Sequence, residues 1–427
     1  MLNKLVFIST LLFATNSLFA EYVPGEVIVK LKSSSSISAY ANVSEIAGSD
    51  LKVIKIDKDK DVMEAVQELA QNPDVEYAQP NYIYHISVVP NDPYFAPKLW
   101  GLKNTPQNVP GATYANNPGN LGDDIDAEDA WGIITDCSSI IVAVIDTGVR
   151  YTHEDLSANM WNGGVSYPHH GWNYHDSSND PIDDNGHGSH VSGIIGAQGN
   201  NSKGVTGVCW RVNIMALKAF GSDGTGSTTT IISSIDFAIN NGANIINASF
   251  NLYGSVDAAL STKITDAQKA GILIVAAAGN GYLNDGSAYD VDAGTKTYPC
   301  CYTQDNVLCV TALDQKFQRA TFANYGATSV DVAAPGTNVW SAWNTNDSFY
   351  KIESGTSMAT PYAVGVAALV WANNPGYTYL DVKNAVMYGG AVVTSLADTT
   401  VSGKVINAYN AVNYINVPRG LTAVVSQ

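Results

Sequence analysis

"SGTSMATP", residues 354–361, is the stretch on which the interpretation of the whole chain depends. Small residues surround Ser357, and an apolar pattern typical of a buried helix follows directly. A hydroxyl at the start of such a helix can act as a nucleophile, because the free N–H groups of the first turn favour developing negative charge. The alternative is an ordinary turn that caps a helix. A nucleophile therefore requires that the chain also supply a base, a residue that orients the base, and an oxyanion donor.

Short apolar strands alternate with helical patterns on both sides of this stretch. The continuous apolar run at 140–145 indicates a strand that is buried on both faces. Further strands are predicted at 214–219, 245–250, 272–278 and 306–312, and helices at 191–197, 229–240, 258–270, 357–373 and 380–388. This alternation predicts an α/β fold with a mainly parallel central sheet, in which sites gather at the carboxyl ends of the strands.

Composition limits the class of protein and its partners. The 427 residues are 45% hydrophobic and 14% charged, which is enough to bury a large core in one large domain with extras or in two to three domains. The formal net charge of −17 argues against nucleic acid and anionic membrane surfaces as partners. It also leaves carboxylates that could bind cations.

Residues 1–20 have the pattern of a secretory signal. Lys4 supplies the positive start, residues 5–14 form an apolar run, and Ala20 is a small residue before the expected cut. The alternative is a membrane anchor, but the apolar run is too short to span a bilayer comfortably. We therefore predict a secreted protein without a membrane partner.

The cysteine count is odd, which leaves at least one thiol unpaired within the chain. Export permits disulfides, and the short spacing favours Cys309 with either Cys300 or Cys301. Cys137 with Cys209 is a further possible pair.

Residues 21–86 carry their own pattern of strands and a helix. Alternating residues predict strands at 26–31 and 51–56, and a third strand begins at 75–77. Asp61 can cap a helix over 61–70. This pattern predicts a small α+β domain. On these residues alone, the alternative is a generic substrate-binding or dimerising module.

Three further motifs carry groups that could act with Ser357. Asp146 ends the strand at 140–145, where it could orient an imidazole or simply cap a turn. His187 lies in "DDNGHGSHVSG" just before a helix. It could act as a general base, or it could bind a metal together with His190. We assign His190 a structural role. Asn280 ends the strand in "IVAAAGN", where its amide could donate to an oxyanion.

The motifs "AVIDTGV", "NGHGSHVSG", "AAAGN" and "GTSMATP", in this order, resemble those of the subtilisin-like serine proteases, the subtilases, and most closely those of subtilisin and thermitase. The resemblance implies a three-layer fold over residues 87–417, with a short extension at 418–427. It implies that Asp146 orients His187, that His187 is general base and then acid, that Ser357 attacks the scissile carbonyl, and that Asn280 stabilises the oxyanion.

The leader also resembles a known element of that family. Its stretches "VPGEVIVKLK" and "NPDVEYAQPNYIY" are similar to the propeptide inhibitor domain. The resemblance implies that residues 21–86 act as intramolecular chaperone and inhibitor, and that the chain is cut between Tyr84 and Val89.

The same likeness implies a substrate cleft. Two segments would form the edges between which a peptide adds as a strand, and a third would form the wall of the specificity pocket. The residues are Gly224, Thr225 and Gly226, then Ser249, Phe250 and Asn251, and for the wall Ala276, Ala277, Ala278 and Gly279. Small walls favour a large apolar side chain before the scissile bond. The chain departs from the family pattern at two positions. The family usually has Gly where Asn251 stands, and His where Tyr362 stands.

Calcium is the cofactor that the resemblance implies. The side chains of Asp92 in "VPNDPYF", Asp155 and Asn201 would bind one ion, with the backbone carbonyls of Gln198, Lys203 and Val205. Oxygen-only ligands suit Ca²⁺. A second site is suggested in "NYHDSSNDPIDDNG" through Asp176, Asp180 and Asp183 or Asp184, although a solvated acidic loop explains this stretch equally.

The leading hypothesis is a secreted serine endopeptidase, made as a self-cleaved zymogen, monomeric, and acting on proteins and peptides. A catalytically dead relative that acts as a binding module is disfavoured, because all four catalytic positions are intact. A calcium-dependent esterase is disfavoured too, because Ala359 stands where a Gly-x-Ser-x-Gly motif requires its second glycine.

Overall fold

The computed structural model describes residues 22–32, 42–57, 60–83, 88–282 and 285–414. The chain divides into two compact units, Met1–His85 and Ile86–Gln427. The predicted signal at 1–20, most of the predicted cut region and the predicted extension at 418–427 lie outside the described residues.

The first unit is an antiparallel sheet covered by one helix. Its elements are β1 (Tyr22–Leu31), β2 (Val43–Glu45), β3 (Leu51–Lys55), α1 (Val62–Ala70) and β4 (Val75–Tyr82), with the sheet order β2-β3-β1-β4. Alternation along β1 buries Val27 and Val29, which share a core with Ile54 and with Leu69 of α1. Asp61 caps α1 by accepting from the Glu64 N–H at 2.9 Å. This is the small α+β arrangement that the sequence predicts, with β2 in addition.

The second unit contains a large sheet with helices on both faces. Its strands are β5 (Asp136–Asp146), β6 (Gly171–Asn173), β7 (Arg211–Lys218), β8 (Ile245–Ala248), β9 (Leu252–Tyr253), β10 (Leu273–Ala277), β11 (Thr297–Tyr298), β12 (Val307–Leu313), β13 (Val332–Pro335), β14 (Val339–Ala342), β15 (Tyr350–Glu353), β16 (Ala391–Val392) and β17 (Lys404–Val405). Its helices are α2 (Phe95–Lys98), α3 (Ala127–Trp131), α4 (His187–Gly196), α5 (Thr228–Asn240), α6 (Ala258–Lys269), α7 (Thr356–Asn373), α8 (Tyr379–Tyr388) and α9 (Ala408–Val412).

The strand order of the large sheet is β16-β17-β13-β12-β10-β8-β5-β7-β6. Every pairing is parallel except that of the edge strand β16 with β17. Alternate residues of β5 enter different cores: Val142 and Val144 share one with residues of α4 and α7, and Ala143 and Ile145 share the other with residues of α5 and α6. The predicted α/β fold, with three layers and a mainly parallel sheet, is confirmed.

Some boundaries differ from the prediction where tertiary contacts decide them. Helix α4 begins at His187 and not at residue 191, because contacts from outside the helix hold its glycine-containing first turn. Strand β8 ends at Ala248 and not at residue 250, because the chain leaves the sheet there and turns towards Ser357. Among the described residues, none of the helices combines the length and apolar composition needed to cross a bilayer.

Two disulfides join Cys137 to Cys209 and Cys300 to Cys309. Cys301 is the free thiol and is half-buried. The structure therefore selects Cys300 from the two partners that the sequence left open for Cys309.

Candidate active site

The predicted catalytic residues all line one cleft of about 320 Å³ in the second unit. Asp146 is the last residue of β5, and Asn280 follows the end of β10. His187 begins α4, and Ser357 lies in the first turn of α7. The cleft is lined by Asp146, Thr147, Asn185, His187, Phe220, Gly224, Ser249, Phe250, Asn251, Asn280 and Ser357. Strand ends and helix starts therefore meet where the sequence predicts a site.

Asp146 holds the imidazole of His187. The two carboxylate oxygens lie 2.8 and 3.0 Å from Nδ1 of His187, and Oδ1 also accepts from the Thr147 N–H at 2.7 Å. Burial by itself would lower the pKa of His187, but the charge and the hydrogen bond of Asp146 outweigh it, so the pKa is raised above 6.5. The Asp146 carboxylate fixes Nδ1 as the protonated nitrogen and leaves Nε2 available as a base.

A glycine permits the close approach of α4 to β5. A Cβ on Gly188 would lie 2.0 Å from the Gly148 carbonyl oxygen and 3.1 Å from the Cβ of Asp146. Any side chain at this position would push the start of α4 away from Asp146.

Asp183 holds the loop that precedes His187, a role that the sequence pattern does not predict. Its buried carboxylate accepts hydrogen bonds from the Thr147 hydroxyl, from the backbone N–H groups of Asn185, Gly186 and Ser189, and from the Ser189 hydroxyl, all between 2.6 and 3.0 Å. A carboxylate offers about four lone-pair directions, so five donors fill it. These hydrogen bonds favour a structural role for Asp183 over the metal-binding role that the sequence predicts.

A buried lysine braces the same loop from the other side. Lys218, at the end of β7, donates from Nζ to Asp184 at 2.6 Å and to the carbonyl oxygens of Thr147 and Phe220 at 2.8 and 2.9 Å. Its side chain is only 1% exposed. The sequence carries a signal for Asp183 and for Lys218. Asp183 belongs to two consecutive aspartates before a glycine-flanked histidine, and Lys218 is a lysine in an apolar strand.

Ser357 is positioned by an exchange of hydrogen bonds with Ser249. Its hydroxyl donates to the Ser249 carbonyl oxygen at 3.1 Å, and the Ser249 hydroxyl donates to the Ser357 carbonyl oxygen at 3.1 Å. Pro361 makes the second bond possible, because it lacks the N–H that would bond to the Ser357 carbonyl within the helix. The hydroxyl has a single proton, so it must give up its bond to Ser249 before it can donate to His187.

Thr356 fixes the orientation of the Asn280 amide. The amide oxygen accepts from the backbone N–H of Thr356 at 2.9 Å and from its hydroxyl at 3.0 Å. A backbone N–H can only donate, so the oxygen must lie on that side. The amide nitrogen is then the end that faces the cleft.

The predicted substrate-binding residues do not all line the same cavity. Gly224, Ser249, Phe250 and Asn251 line the cleft as expected. Phe250, Asn251 and Gly226 also line an adjoining recess of about 150 Å³. Thr225 instead bonds to Asp223. The side chains of Ala276, Ala277 and Ala278 are fully buried, so this segment can present only backbone to a substrate.

The residues predicted for the first metal site do come together. Asp92 accepts from the backbone N–H groups of Asn200 and Asn201, one on each oxygen, at 2.7 and 3.1 Å. Asp155 accepts from the Asn201 amide, the Val205 N–H and the Tyr350 hydroxyl, between 2.7 and 2.9 Å. These bonds tie the loop from 198 to 205 to both carboxylates. Two further bonds hold the same loop: the Gln198 N–H donates to the backbone carbonyl oxygen of Asp155, and the Lys203 N–H donates to the side-chain oxygen of Asn201.

The donor chemistry of this cluster fits calcium. Burial and then the nearby charge of Asp155 raise the pKa of Asp92, because the two carboxylates lie close together in a buried place. Asp92 also keeps half of its lone pairs. No group of three or more His, Cys, Asp or Glu side chains suited to a metal occurs in the part of the chain that the structure describes, so amide and carbonyl oxygens would have to complete the shell.

The second predicted metal site is not assembled in this way. Asp176 is exposed and accepts from Asn173 and His175, and Asp180 accepts from the Tyr151 hydroxyl and the Ile182 N–H. Asp183 is occupied by its own donors, and Asp184 accepts from Lys218 Nζ at 2.6 Å. This arrangement favours the solvated acidic loop over a second cation site.

Comparison with known proteins agrees with this geometry. A profile described as "Subtilase family" matches residues 138–404, and one described as "Fervidolysin N-terminal prodomain" matches residues 14–81. The chain is 34% identical over 404 residues to a thermophilic serine proteinase of Bacillus sp. (strain AK1), covering 92% of this chain and 88% of that protein. It is 33% identical over 328 residues to thermitase of Thermoactinomyces vulgaris, covering 76% of this chain and 99% of that protein. A crystal structure of a cold adapted subtilisin-like serine proteinase aligns with a TM-score of 0.55 and 28% identity, over 73% of this chain and 98% of that one.

Proposed function

The chain belongs to the subtilase family of serine proteases, and we propose that it is a secreted endopeptidase made as a zymogen that cleaves off its own leader. As a subtilisin-like serine protease it is a hydrolase that acts on protein substrates. The observation that carries the proposal is the pair of Asp146 and His187, at 2.8 Å, in one cleft with Ser357 and Asn280.

In the proposed mechanism, the Ser357 oxygen attacks the scissile carbonyl carbon while Nε2 of His187 accepts the hydroxyl proton. Asp146 stabilises the imidazolium that forms. The carbonyl oxygen becomes negative and is met by the Asn280 amide nitrogen and by the Ser357 N–H, which has no intrahelical acceptor in the first turn of α7. His187 then gives its proton to the leaving nitrogen, so the peptide bond breaks and an acyl-enzyme remains. Water, activated by His187 in the same way, hydrolyses the ester and restores the Ser357 hydroxyl.

The prodomain assignment supports the zymogen. The profile match covers residues 14–81, and the first unit folds around its own core of Val27, Val29 and Ile54. A leader with a core of its own can act as chaperone and as intramolecular inhibitor of the cleft until it is cut. Secretion is supported by the signal pattern at 1–20, and the two disulfides suit an oxidising compartment. We propose a monomer.

Calcium is proposed as a structural cofactor. Asp92, Asp155 and Asn201 would hold it, with carbonyl oxygens of Gln198, Lys203 and Val205. The ion would neutralise the two buried carboxylates and tie the start of the peptidase unit to the loop after α4.

A serine-directed fluorophosphonate probe tests the function. We expect the processed protein to be labelled and Ser357→Ala to be unlabelled and to remain uncut as the full chain. Undiminished labelling of Ser357→Ala, or no labelling of the processed wild type, would refute a serine nucleophile at this position.

A further inference from the structure

A gap opens beside Ser357 where two neighbouring strands end. Strands β8 and β10 pair in parallel up to Ala248 and Ala276. Beyond that point the two segments flank the start of α7: Ser249 bonds to Ser357, and Asn280 bonds to Thr356. The space between residues 249–251 and 277–279 therefore adjoins the nucleophile directly.

The side chain of Asn251 bridges this gap. Its amide nitrogen donates to the Ala277 carbonyl oxygen at 2.7 Å, so it joins the two segments across the opening. A glycine here could not form this bridge.

The far side of the gap is closed as well. The chain after Asn251 forms β9, which pairs with β11 so that Tyr253 lies opposite Thr297. Thr297 is fully buried, and its hydroxyl donates to the Ala278 carbonyl oxygen at 2.9 Å. A Cβ on Gly279 would lie 3.2 Å from the Tyr253 hydroxyl oxygen and 3.4 Å from the Thr297 methyl group. Little depth remains behind the bridge.

The proposed reaction directs one substrate side chain into this gap. The reacting carbon carries four groups at the tetrahedral stage: the Ser357 oxygen, the oxyanion, the leaving nitrogen and the acyl-side Cα. The oxyanion points to Asn280, and the leaving nitrogen must face His187, which protonates it. The acyl-side Cα and its side chain are left on the side away from His187, towards the gap that Asn251 bridges.

We propose that Asn251 makes this protease selective for small residues, such as Ala, Gly or Ser, immediately before the scissile bond, with Thr297 limiting the depth. The proposal rests on the proposed function and deepens it. A side chain as large as Phe must break the bond between Asn251 and Ala277 and displace the amide, whereas a methyl group need not. This reverses the expectation from the sequence that small walls favour a large apolar residue.

The test compares peptidyl p-nitroanilides that differ only in having Ala or Phe before the scissile bond. We expect wild type to prefer Ala in kcat/KM, and Asn251→Gly to raise the ratio of Phe to Ala by about tenfold or more, the usual discrimination of a pocket by side-chain size. Asn251→Asp keeps the volume but cannot donate to Ala277, so it should raise the ratio by less. Asn162→Gly is the control for the Asn-to-Gly change itself, because Asn162 is exposed and distant from Asn251 in the sequence. It should leave the ratio of Phe to Ala unchanged.

The fluorophosphonate probe separates the two ways of failing. If the probe labels Ser357 but wild type prefers Phe, or if Asn251→Gly leaves the ratio unchanged, the role of Asn251 is refuted and the proposed function stands. If no variant is labelled, the proposed function fails and the selectivity proposal fails with it.

Discussion

Asp183→Asn tests whether this carboxylate organises the start of α4. The wild-type carboxylate accepts two hydrogen bonds from Ser189, at 2.9 and 2.6 Å, on one oxygen, and three from Thr147, Asn185 and Gly186 on the other. The substitution exchanges one oxygen for an NH₂ group that can only donate. In the better orientation the NH₂ group faces Ser189. The Ser189 hydroxyl can then turn and accept a hydrogen bond from it, but the backbone N–H of Ser189 can only donate and is left without an acceptor.

The cost follows from this count. One buried N–H without an acceptor costs about 1–3 kcal/mol, and loss of the negative charge weakens the remaining bonds by roughly 1 kcal/mol more. We therefore expect the free energy of unfolding to fall by about 2–4 kcal/mol. Activity should fall too, because the Thr147 hydroxyl links Asp183 to the Gly188 N–H at 3.0 Å, and both neighbours of His187 would loosen. A displacement of that kind lowers kcat/KM by roughly 10–100-fold.

Unfolding should be measured by calorimetry in a Ser357→Ala background, which removes autolysis, and kcat/KM in the otherwise unmodified chain. Asp176→Asn is the matched control, since its carboxylate belongs to the same loop but is 56% exposed. We expect it to change neither quantity measurably. If Asp183→Asn matches wild type while Asp176→Asn is the variant that loses stability, then the positioning role is wrong.

Three further predictions concern the histidine, the cation and the disulfides. Because Asp146 raises the pKa of His187 in spite of burial, and the proposed base is the neutral imidazole, the acid limb of kcat/KM should have its midpoint above pH 6.5. Asp146→Asn should lower that midpoint and should lower kcat by about 10⁴-fold. A midpoint that does not respond to Asp146→Asn would show that another group sets it. A chelator should lower the melting temperature of wild type but not that of Asp92→Asn, and equal responses would count against an ion at this carboxylate. Replacing Cys137 and Cys209 together by Ser should lower the free energy of unfolding by roughly 4 kcal/mol, because that bond closes a loop with a sequence separation of 72, and a loss below about 1 kcal/mol would contradict this loop-entropy reasoning.

The parts of the fold that the sequence predicts are those with a periodic apolar signal. Strand β5 and helix α7 carry long buried runs, and both were predicted to within a few residues. The first turn of α4 has no such signal, because Gly188 and Ser189 are held by Thr147 and Asp183 from outside the helix. Strands β16 and β17 have two residues each, which is too short for a pattern, and exist only through pairing across the sheet.

The candidate site divides in the same way. Residue type and chain order were sufficient to predict that Asp146, His187 and Asn280 lie near Ser357, because the carboxyl ends of parallel strands lie at one edge of the sheet. The contact between Asn251 and Ala277 could not be predicted, because it depends on how two segments separate after leaving the sheet. Spacing also could not choose between Cys300 and Cys301, whose positions relative to Cys309 differ by one residue.

The acidic residues show why ligand prediction from residue type fails without the surrounding donors. Asp92 and Asp183 are both buried aspartates in loops, and both have a pKa raised by burial first of all. Asp183 receives five hydrogen bonds on about four lone pairs, whereas Asp92 receives one on each oxygen. A cation needs a free lone pair, so only Asp92 can still bind one. The number of N–H and O–H groups that converge on a carboxylate, which only the folded loops determine, therefore decides whether that carboxylate can bind an ion or instead holds the backbone.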